Sequence, residues 1–479
     1  MPSKYPFRSA LVLSAASLTL ADHEPQAIRW ATTPVGPDGP WNAVEVRVGS
    51  GEQRMALVPG GDWQTSVVTS DYCSFNASVS HCSAGTYSKD EAIENDLNGI
   101  RFEPRPNSLE EGVQIEGRNS RMFMDEFDLG FDGGVIPNVS MTLTESQFRV
   151  YPNGDWYPMF TGCLSLGAID PQQHYDDIYT NIIPWYLAAN QTIPSSSFGL
   201  HIGSAVGGTE VSGSLMFGGY DPDRVLGHVL GFDGVFTGRI PLRRLRIEVV
   251  QGASPFDFDT GEDLLEGDPL VVRLDACSPY LSLPMATCEN LASRLPLNYD
   301  TGLGLYLWDT SDQTYRNIMH SGSVLAFTLG ERGSEVTINV PFQHLNLTLE
   351  PPLVDAPVSY FPCYTGDVAV PVLGRAFLQD AFVGGNLESE RWWLAQAPGP
   401  LLPDASEISS IEWYDLGIEG SGIDWAATWS EVWTALDELN QELQDDGNRT
   451  TPSSNGTTLG GGQTSNSEDG NGMTTGDCN

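Results

Sequence analysis

The sequence predicts a mostly β protein that is built as two lobes. Between Trp41 and Pro398 it consists of short β-rich runs interrupted by glycine, proline, asparagine and aspartate, which is typical of antiparallel sheet. The chain has 479 residues and is 40% hydrophobic, so it can bury a large core and divide into two lobes. An internal duplication supports this division, because an apolar-apolar-glycine element follows each of two similar loops by about a hundred residues.

These two loops hold the candidate site. The first lies around Gly60 and is followed by Leu164–Gly167, and the second lies around Asp275 and is followed by Val372–Gly374. In the second loop, apolar β-forming residues lead into the aspartate, a turn of small residues comes next, and an apolar stretch ends at Pro284. The similar spacing indicates one design that is used twice.

The second loop resembles the active-site loop of pepsin-like aspartic peptidases, in which Asp-Thr-Gly is followed by apolar residues and a proline. Residues 198–221 resemble the hairpin before the lobe junction of that family, and residues 372–395 resemble its last helix-and-strand unit. The chain is therefore similar to a divergent, fungal-type secreted member. The resemblance implies a bilobal pepsin-like acid protease fold, with two pseudo-symmetric β-barrel-like lobes and a cleft that takes a polypeptide substrate or ligand.

An aspartic peptidase needs one carboxylate from each lobe, because the two groups share a proton and act as base and acid. Asp275 fits the second role. In the first loop, which is degenerate, the resemblance places the other aspartate at Gly60, or at Pro59 if one residue is deleted, and neither has a carboxylate. Asp62, two or three positions further on, is the candidate for an unorthodox catalytic partner.

The resemblance also predicts that Ser278, Gly60 and Gly61 border the cleft. In the family, a tyrosine on a first-lobe flap covers the bound peptide, but this chain has no tyrosine between Ser88 and Val150. A phenylalanine is expected to fill that space, and the candidates are Phe102, Phe123 and Phe127.

These losses predict an inactive or impaired peptidase that acts in polypeptide binding. One alternative is an active aspartic endopeptidase that hydrolyses peptide bonds at acid pH with Asp275 and Asp62. Another is a structural protein of the cell surface or wall. Two literal Asp-Thr-Gly runs, at 259–261 and 300–302, lack the flanking apolar strand of a catalytic loop and are interpreted as turns.

The order of segments predicts an exported protein. Basic residues, a short apolar stretch and a small-residue cleavage site at the start are typical of a secretory signal peptide. The predicted divisions are a signal peptide at 1–21, a first lobe at 22–220, a second lobe at 221–398, an acidic extension at 399–447 and a disordered Gly/Ser/Thr/Asn-rich tail at 448–479.

The acidic extension contains a predicted amphipathic helix over 424–447, with Asp424 as its N-cap. We expect this helix to pack on the protein's own surface or to self-associate. The alternatives are that it binds a partner, lies on a membrane surface or attaches the protein to a cell surface. Its apolar face consists of Trp425, Trp429, Val432, Leu436, Leu439 and Leu443. After the signal peptide, no apolar run approaches the length that a transmembrane helix needs.

Charge and histidine spacing exclude several kinds of partner. The formal net charge is −40, which disfavours nucleic acid. The seven histidines are scattered, and no histidine–cysteine cluster has the spacing of a zinc site, so neither a metal nor a cofactor is expected.

Seven cysteines in an exported chain predict disulfides. The resemblance implies a small disulfide loop between Cys73 and Cys82, and Cys288 with Cys363 is a candidate clip for the second lobe. Cys163 and Cys277 compete as partners in that clip. Six glycosylation sequons fit an exported glycoprotein, and they begin at Asn76, Asn138, Asn190, Asn346, Asn448 and Asn455.

Overall fold

The structure is a computed structural model of the chain. It describes residues 23–49, 53–61, 64–74, 82–92, 113–117, 121–175, 177–267, 269–366, 370–402 and 407–434. All of these residues lie within one compact unit that spans residues 1–436.

The first half of the described chain is mostly strand. Its strands are β1 (Gln26–Ala27), β2 (Val44–Val48), β3 (Gln53–Gly61), β4 (Thr65–Val68), β5 (Gln114–Glu116), β6 (Arg121–Asp128), β7 (Val135–Thr144), β8 (Phe148–Val150), β9 (Trp156–Pro158), β10 (Gly162–Ser165), β11 (Gln172–Tyr175), β12 (Ile178–Asn181), β13 (Ser197–His201), β14 (Ser214–Phe217) and β15 (Gly219–Tyr220).

The second half follows the same pattern. Its strands are β16 (Leu226–Asp233), β17 (Arg239–Gln251), β18 (Leu270–Leu274), β19 (Leu281–Ser282), β20 (Leu297–Asp300), β21 (Leu305–Trp308), β22 (Gly322–Glu331), β23 (Ser334–Pro341), β24 (Leu347–Leu349), β25 (Val358–Phe361), β26 (Cys363–Tyr364), β27 (Val372–Leu373), β28 (Ala381–Asn386), β29 (Arg391–Gln396) and β30 (Ser409–Ser410).

The helices of the described chain are short. The α-helices are α1 (Ser70–Ser74), α2 (Ile183–Ala189), α3 (Met285–Ala292), α4 (Gln313–His320) and α5 (Arg375–Leu378). Three 3₁₀ helices cover Lys89–Glu91, Pro222–Arg224 and Trp425–Trp429.

The sheets divide the molecule into two lobes. The first lobe contains an eight-stranded sheet in the order β11-β12-β7-β4-β10-β3-β2-β6, which curls on itself because β6 also pairs with β7. The second lobe contains a seven-stranded sheet, β23-β22-β17-β18-β27-β19-β26, and a four-stranded sheet, β20-β21-β25-β24. A six-stranded sheet, β1-β14-β13-β28-β29-β16, takes strands from both lobes. The prediction of a mostly β, bilobal fold is confirmed.

Period-two burial explains why these segments form strands. Along β17, Ile240 and Leu242 are buried, whereas Arg239 and Arg244 are exposed. The register shifts between Leu242 and Arg244, so that Leu245 again points into the core. A two-residue repeat of apolar side chains therefore closes the second lobe around its core.

The internal duplication places two loops at equivalent points of the lobes. In the first lobe β3 runs parallel to β10, with Val58 opposite Cys163. In the second lobe β18 runs parallel to β27, with Arg273 opposite Val372. The two candidate loops therefore lie at the ends of β3 and β18.

The acidic extension differs from the prediction over its described part. Asp424 caps as expected by accepting a hydrogen bond from the Ala426 amide at 3.2 Å, but Trp425–Trp429 is a 3₁₀ helix and the α-helix predicted over 424–447 does not form up to residue 434. Trp429 and Trp433 stack with ring centroids 5.6 Å apart, and Trp429 lies 4.9 Å from the His344 ring. Packing against the second lobe therefore overrides the local helical period. Residues 435–447 lie outside the described residues.

Candidate functional site

The second loop starts where β18 ends. The Asp275 amide donates to the Leu373 carbonyl at 3.2 Å, and the Ser278 amide donates to the Asp275 carbonyl at 3.1 Å. The loop therefore continues the parallel ladder for one residue and then turns. This geometry presents the Asp275 side chain at the end of the strand.

The Asp275 carboxylate is held by its own loop. Its Oδ1 accepts from the Cys277 amide at 2.9 Å, and its Oδ2 accepts from the Ser278 hydroxyl at 2.5 Å. The residue is 8% exposed. Two donors within three residues of the aspartate therefore fix the orientation of the carboxylate.

The first loop has a glycine where the resemblance predicts an aspartate. Gly60 adopts a φ of +150°, and a Cβ built on it would lie 2.3 Å from the Cβ of Ala276 in the second loop. The backbone of the first loop therefore rests directly on the second. Any side chain at position 60 requires Ala276 to move.

Neither described residue in the expected slot supplies a carboxylate, since Pro59 and Gly60 have none. Asp62 lies outside the described residues. Gly60, Gly61 and Ser278, which were predicted to border the cleft, are all buried. Of these three residues, Gly60 lies against Ala276 of the other lobe, and Ser278 donates to Asp275 of its own loop.

A disulfide joins the two lobes at this same point. Cys163 on β10 bonds to Cys277 in the second loop, with 5.8 Å between the two Cα atoms. Cys277 occupies the position of the family's Asp-Thr-Gly glycine, two residues after Asp275. The sequence left the pairing of these two cysteines open. A covalent bridge therefore crosses the molecule beside the retained aspartate.

A small hollow lies beside this bridge. It is lined by Ser66, Met159, Thr161, Gly162, Cys163, Cys277 and Arg375.

A buried ion network also crosses between the lobes. Asp38 Oδ2 lies 2.5 Å from Arg149 Nη1 and 3.9 Å from Arg375 Nη2, and all three side chains are nearly inaccessible. The Trp41 indole donates to Asp38 Oδ1 at 2.7 Å. Arg375 Nη1 in turn donates to the Cys277 carbonyl at 2.7 Å. The network therefore links the N-terminal segment to the backbone of the second loop.

The charges in this network decide the ionisation of Asp38. Burial on its own would raise the pKa of the carboxyl. The charges of Arg149 and Arg375, with hydrogen bonds from Trp41 and Arg149, outweigh burial and hold the pKa below its usual value. Asp38 is therefore a permanent anion at neutral pH, and it compensates the two buried arginines.

Tyrosines fill the space next to the network. The hydroxyls of Tyr151 from the first lobe and Tyr280 from the second lie 2.8 Å apart. The Tyr364 ring lies 5.3 Å from Tyr280, and the Tyr360 hydroxyl donates to the Asp38 carbonyl. Burial is the main cause that raises the pKa of Tyr280, so its phenol stays neutral. The contact between the lobes is therefore a packed interior on this side of Asp275.

A turn of the first lobe touches a hairpin of the second. The Asn153 amide donates to the Gly302 carbonyl at 3.0 Å. Asp300 Oδ1 accepts from the amides of Gly302 and Leu303 at 2.8 and 3.0 Å. The second literal Asp-Thr-Gly run is therefore a hairpin turn, as predicted, and its aspartate caps its own backbone. The other run, at 259–261, lies in an irregular loop.

Two of the candidates to replace the flap tyrosine lie in the core. Phe127 and Phe123 are buried, and Phe123 packs 5.7 Å from the ring of Tyr87. Phe102 lies outside the described residues. Both side chains belong to the hydrophobic core of the described chain.

Two further disulfides form, one that the resemblance implied and one that was a candidate. Cys73 bonds to Cys82 across nine residues, and Cys288 bonds to Cys363 across 75. Cys163 and Cys277, which were the rival partners, bond to each other instead.

Three sequons fall in the described chain. Asn138 and Asn190 are exposed, and Asn346 is half-buried with its amide donating to the Tyr315 hydroxyl at 3.0 Å. The other three, at Asn76, Asn448 and Asn455, lie outside the described residues.

Neither a metal-binding cluster nor a membrane-spanning helix is found among the described residues. Over this part of the chain, no group of three or more His, Cys, Asp or Glu side chains is arranged to hold a metal ion. Nor do the described ranges hold a helix that is long and apolar enough to cross a membrane.

Sequence reasoning missed three residues of this region. Asp38 lies in a Gly-Pro-Asp-Gly run that indicates only a turn, and Arg149 stands among ordinary strand residues. Of these three residues, only Arg375 could have been found from the sequence, because it directly follows the Val372–Gly374 element that ends beside the second loop. A cation at that point was a candidate to contact the loop's carbonyls.

No family model matches the chain, and no curated protein matches it. Among solved structures, an aspartic proteinase from Irpex lacteus is similar, with 15% sequence identity and a TM-score of 0.49. The match covers 78% of this chain and 97% of that one.

Proposed function

We propose that this chain is an exported, glycosylated pepsin-like protein that does not hydrolyse peptide bonds and acts by binding a polypeptide. The observation that carries the proposal is the pair of contacts beside Asp275. A disulfide joins Cys277 to Cys163, and Gly60 lies against Ala276. Both contacts occupy the region that a second carboxylate needs.

The chemistry explains why these contacts matter. Peptide hydrolysis by this class requires two carboxyl groups within hydrogen-bond reach of one water, with one proton between them. Asp275 is held by Ser278 and Cys277 of its own loop. At position 60, a carboxylate-bearing side chain collides with Ala276. Groups that act as a catalytic unit lose nearly all their benefit when one is missing.

The two-lobed architecture supports polypeptide binding. The ligand does not lie deep between the lobes, near Asp38 and Tyr280. The contact between the lobes is filled around Asp38 and Tyr280. A polypeptide therefore lies toward the rim, where Asn153 meets the 300–304 hairpin and Tyr299 is exposed.

Export and glycosylation rest on the signal-like segment 1–21 and on the exposed sequons. Asn138 and Asn190 are the best acceptors, because both side chains are exposed. Asn346 is a poorer one, since it is half-buried. Treatment of the secreted protein with an endoglycosidase, followed by mass spectrometry of Asn138→Gln and Asn190→Gln, tests these assignments. Absence of the protein from the culture medium contradicts export.

The first experiment tests hydrolysis. Purified protein is incubated with a denatured protein from about pH 2 to pH 6, with Asp275→Asn and a statine-type inhibitor as controls. We expect no cleavage above that of the Asp275→Asn variant. Inhibitor-sensitive cleavage that disappears in the variant establishes the alternative, an active endopeptidase in which Asp62 is the first candidate partner.

The second experiment tests binding. Fluorescein-labelled denatured casein is titrated with the protein and followed by anisotropy. We expect Tyr299→Ala, at the rim, to weaken binding several-fold. Tyr179→Ala, an exposed tyrosine on β12, is the matched control and should leave it unchanged. If wild type does not bind casein but sediments with cell-wall material, the structural alternative replaces the binding proposal.

A further inference from the structure

The described chain exposes several large apolar side chains close together in the acidic extension. Of the nine exposed ones, four lie between residues 408 and 416, namely Ile408, Trp413, Tyr414 and Leu416. Trp413 is 61% exposed and Tyr414 is 59% exposed, and their rings meet edge to face at 5.3 Å. Residues 412–416 are called the aromatic turn below.

The body of the protein holds the backbone of the aromatic turn firmly. Asn386, which is buried, donates through its side-chain amide to the carbonyls of Glu412 at 2.9 Å and Asp415 at 3.1 Å. The Trp393 indole donates to the Leu416 carbonyl at 3.2 Å. The side chains of the second lobe thus fix the turn while its aromatic rings face solvent.

The turn is closed by local bonds and anchored by its neighbour. The Glu412 amide donates to Asp415 Oδ2 at 2.8 Å, and the Asp415 amide donates to the Glu412 carbonyl at 2.9 Å. Ile411 is fully buried in an apolar cluster with Tyr220 and Trp393. A rigid, exposed aromatic pair loses little conformational entropy when it binds, which is the property of an interface anchor.

Charge identifies the kind of partner. From residue 399 to residue 447 the sequence contains aspartates and glutamates but no lysine, arginine or histidine. Glu419 and Glu407 are exposed in the described part of this stretch, near the aromatic turn in sequence. Carboxylates that flank an exposed tryptophan and tyrosine along the chain favour a cation, which gains both ion pairing and a cation–π contact. They disfavour an anionic lipid surface.

We propose that the aromatic turn is a docking site for a basic polypeptide segment, in which arginine or lysine side chains stack on Trp413 and Tyr414. This site lies outside the contact between the lobes and does not depend on the binding proposed there. Arginine suits it best, because its planar guanidinium stacks on aromatic faces and is weakly hydrated.

A fluorescent deca-arginine peptide is the probe, followed by anisotropy. The test variant is the double substitution Trp413→Ala and Tyr414→Ala, and the control is Tyr179→Ala, which removes an exposed tyrosine from another surface. All three proteins carry the same charge. We expect the double variant to weaken binding about tenfold or more and the control to leave it unchanged. Added salt should weaken the binding of wild type and control alike.

A second variant, Glu412→Gln with Glu419→Gln, separates charge from ring contact. It keeps both rings, and we expect a smaller loss of affinity, several-fold, together with a weaker salt dependence. Equal binding by wild type and by the double aromatic variant overturns the proposal, because the acidic surface as a whole then binds the peptide. Binding of a soluble β-glucan or of phosphatidylcholine vesicles that depends on Trp413, without an effect of Trp413 on the peptide, also overturns it.

Discussion

The two loops at the ends of β3 and β18 hold equivalent positions in the two lobes but differ in chemistry. The second loop has a carboxylate, at Asp275, with two donors that orient it. The first loop has Gly60, whose bare backbone packs against Ala276. One loop carries a buried carboxylate, whereas the other packs its bare backbone against the residue that follows this carboxylate.

The difference teaches that equivalent loops of two lobes can be joined by structural contacts without a carboxylate from each. In an active site, the two loops approach each other but leave room for water between their carboxyl groups. Here Cys277 bonds to Cys163, and Arg375 binds the carbonyl of Cys277. The second loop is therefore tied to the rest of the molecule from two sides. Four variants test how much stability depends on the contacts around the two loops.

The largest effect is expected from the disulfide between the lobes. Replacing Cys163 and Cys277 by serine removes a link across 114 residues, and chain entropy predicts a loss of about 4–5 kcal/mol in unfolding free energy. The matched pair, Cys73→Ser with Cys82→Ser, closes only nine residues and should cost about 2–3 kcal/mol. Urea unfolding of both variants measures the difference. Equal losses contradict the view that the bridge holds the lobes together.

The buried ion network comes next. Asp38→Ala leaves Arg149 and Arg375 buried without their anion, which costs about 3–4 kcal/mol. The folded-state pKa of Asp38 is depressed, so its contribution is complete above the usual carboxyl pKa near 4 and disappears as the pH falls through the depressed value. Thermal unfolding between about pH 6 and pH 2 should show the variant converging on wild type in acid. Asp132→Ala, an exposed control, should run parallel to wild type throughout.

The contact between the loops is tested by Gly60→Ala. Its positive φ and the clash with Ala276 predict a loss of about 2–3 kcal/mol in unfolding free energy. Gly154→Ala is the control, because that glycine also has a positive φ but no neighbour within 4 Å. It should lose only about 1 kcal/mol. Adding Ala276→Gly to Gly60→Ala should recover part of the loss, and no recovery means that the clash is not the cause.

The smallest effect is expected within the second loop. Ser278→Ala removes the hydroxyl that donates to Asp275 and should cost about 1.5–2 kcal/mol, as a buried hydrogen bond to a charged group does. The exposed hydroxyl of Ser293, which donates to the Asn290 carbonyl, is the control. Ser293→Ala should change the unfolding free energy little. A Ser278→Ala variant as stable as wild type indicates that Asp275 is not held in this way.

The sequence predicted what depends on local pattern. Strand runs, the hairpin over residues 198–221 and the two-lobe division follow from alternation, glycine placement and duplication, which neighbouring residues determine. Cys73 with Cys82 was predictable because the pair is close in sequence and matches a family pattern. The α-helix predicted in the extension is absent up to residue 434, because Trp429 packs against His344 and Gly399, which are far from it in sequence.

The site was harder to predict, because its parts meet only after the lobes pack. Asp38, Arg149 and Arg375 are separated by more than a hundred residues from one to the next, and no motif joins them. The bond between Cys163 and Cys277 has the same character, since their spacing says nothing of how the lobes approach. Sequence predicted the absence of a carboxylate at position 60, but the contact that fills the place came from the structure.

The bond between Cys163 and Cys277 also changes what a protease can do to this protein. A single cut anywhere from residue 164 to residue 276 leaves the two fragments joined through the sulfur bridge. The cut protein then migrates as one chain on a gel run without a thiol and falls into two pieces when a thiol is added. A protein cleaved in the segment that connects the lobes can therefore stay folded, since its two fragments remain covalently linked.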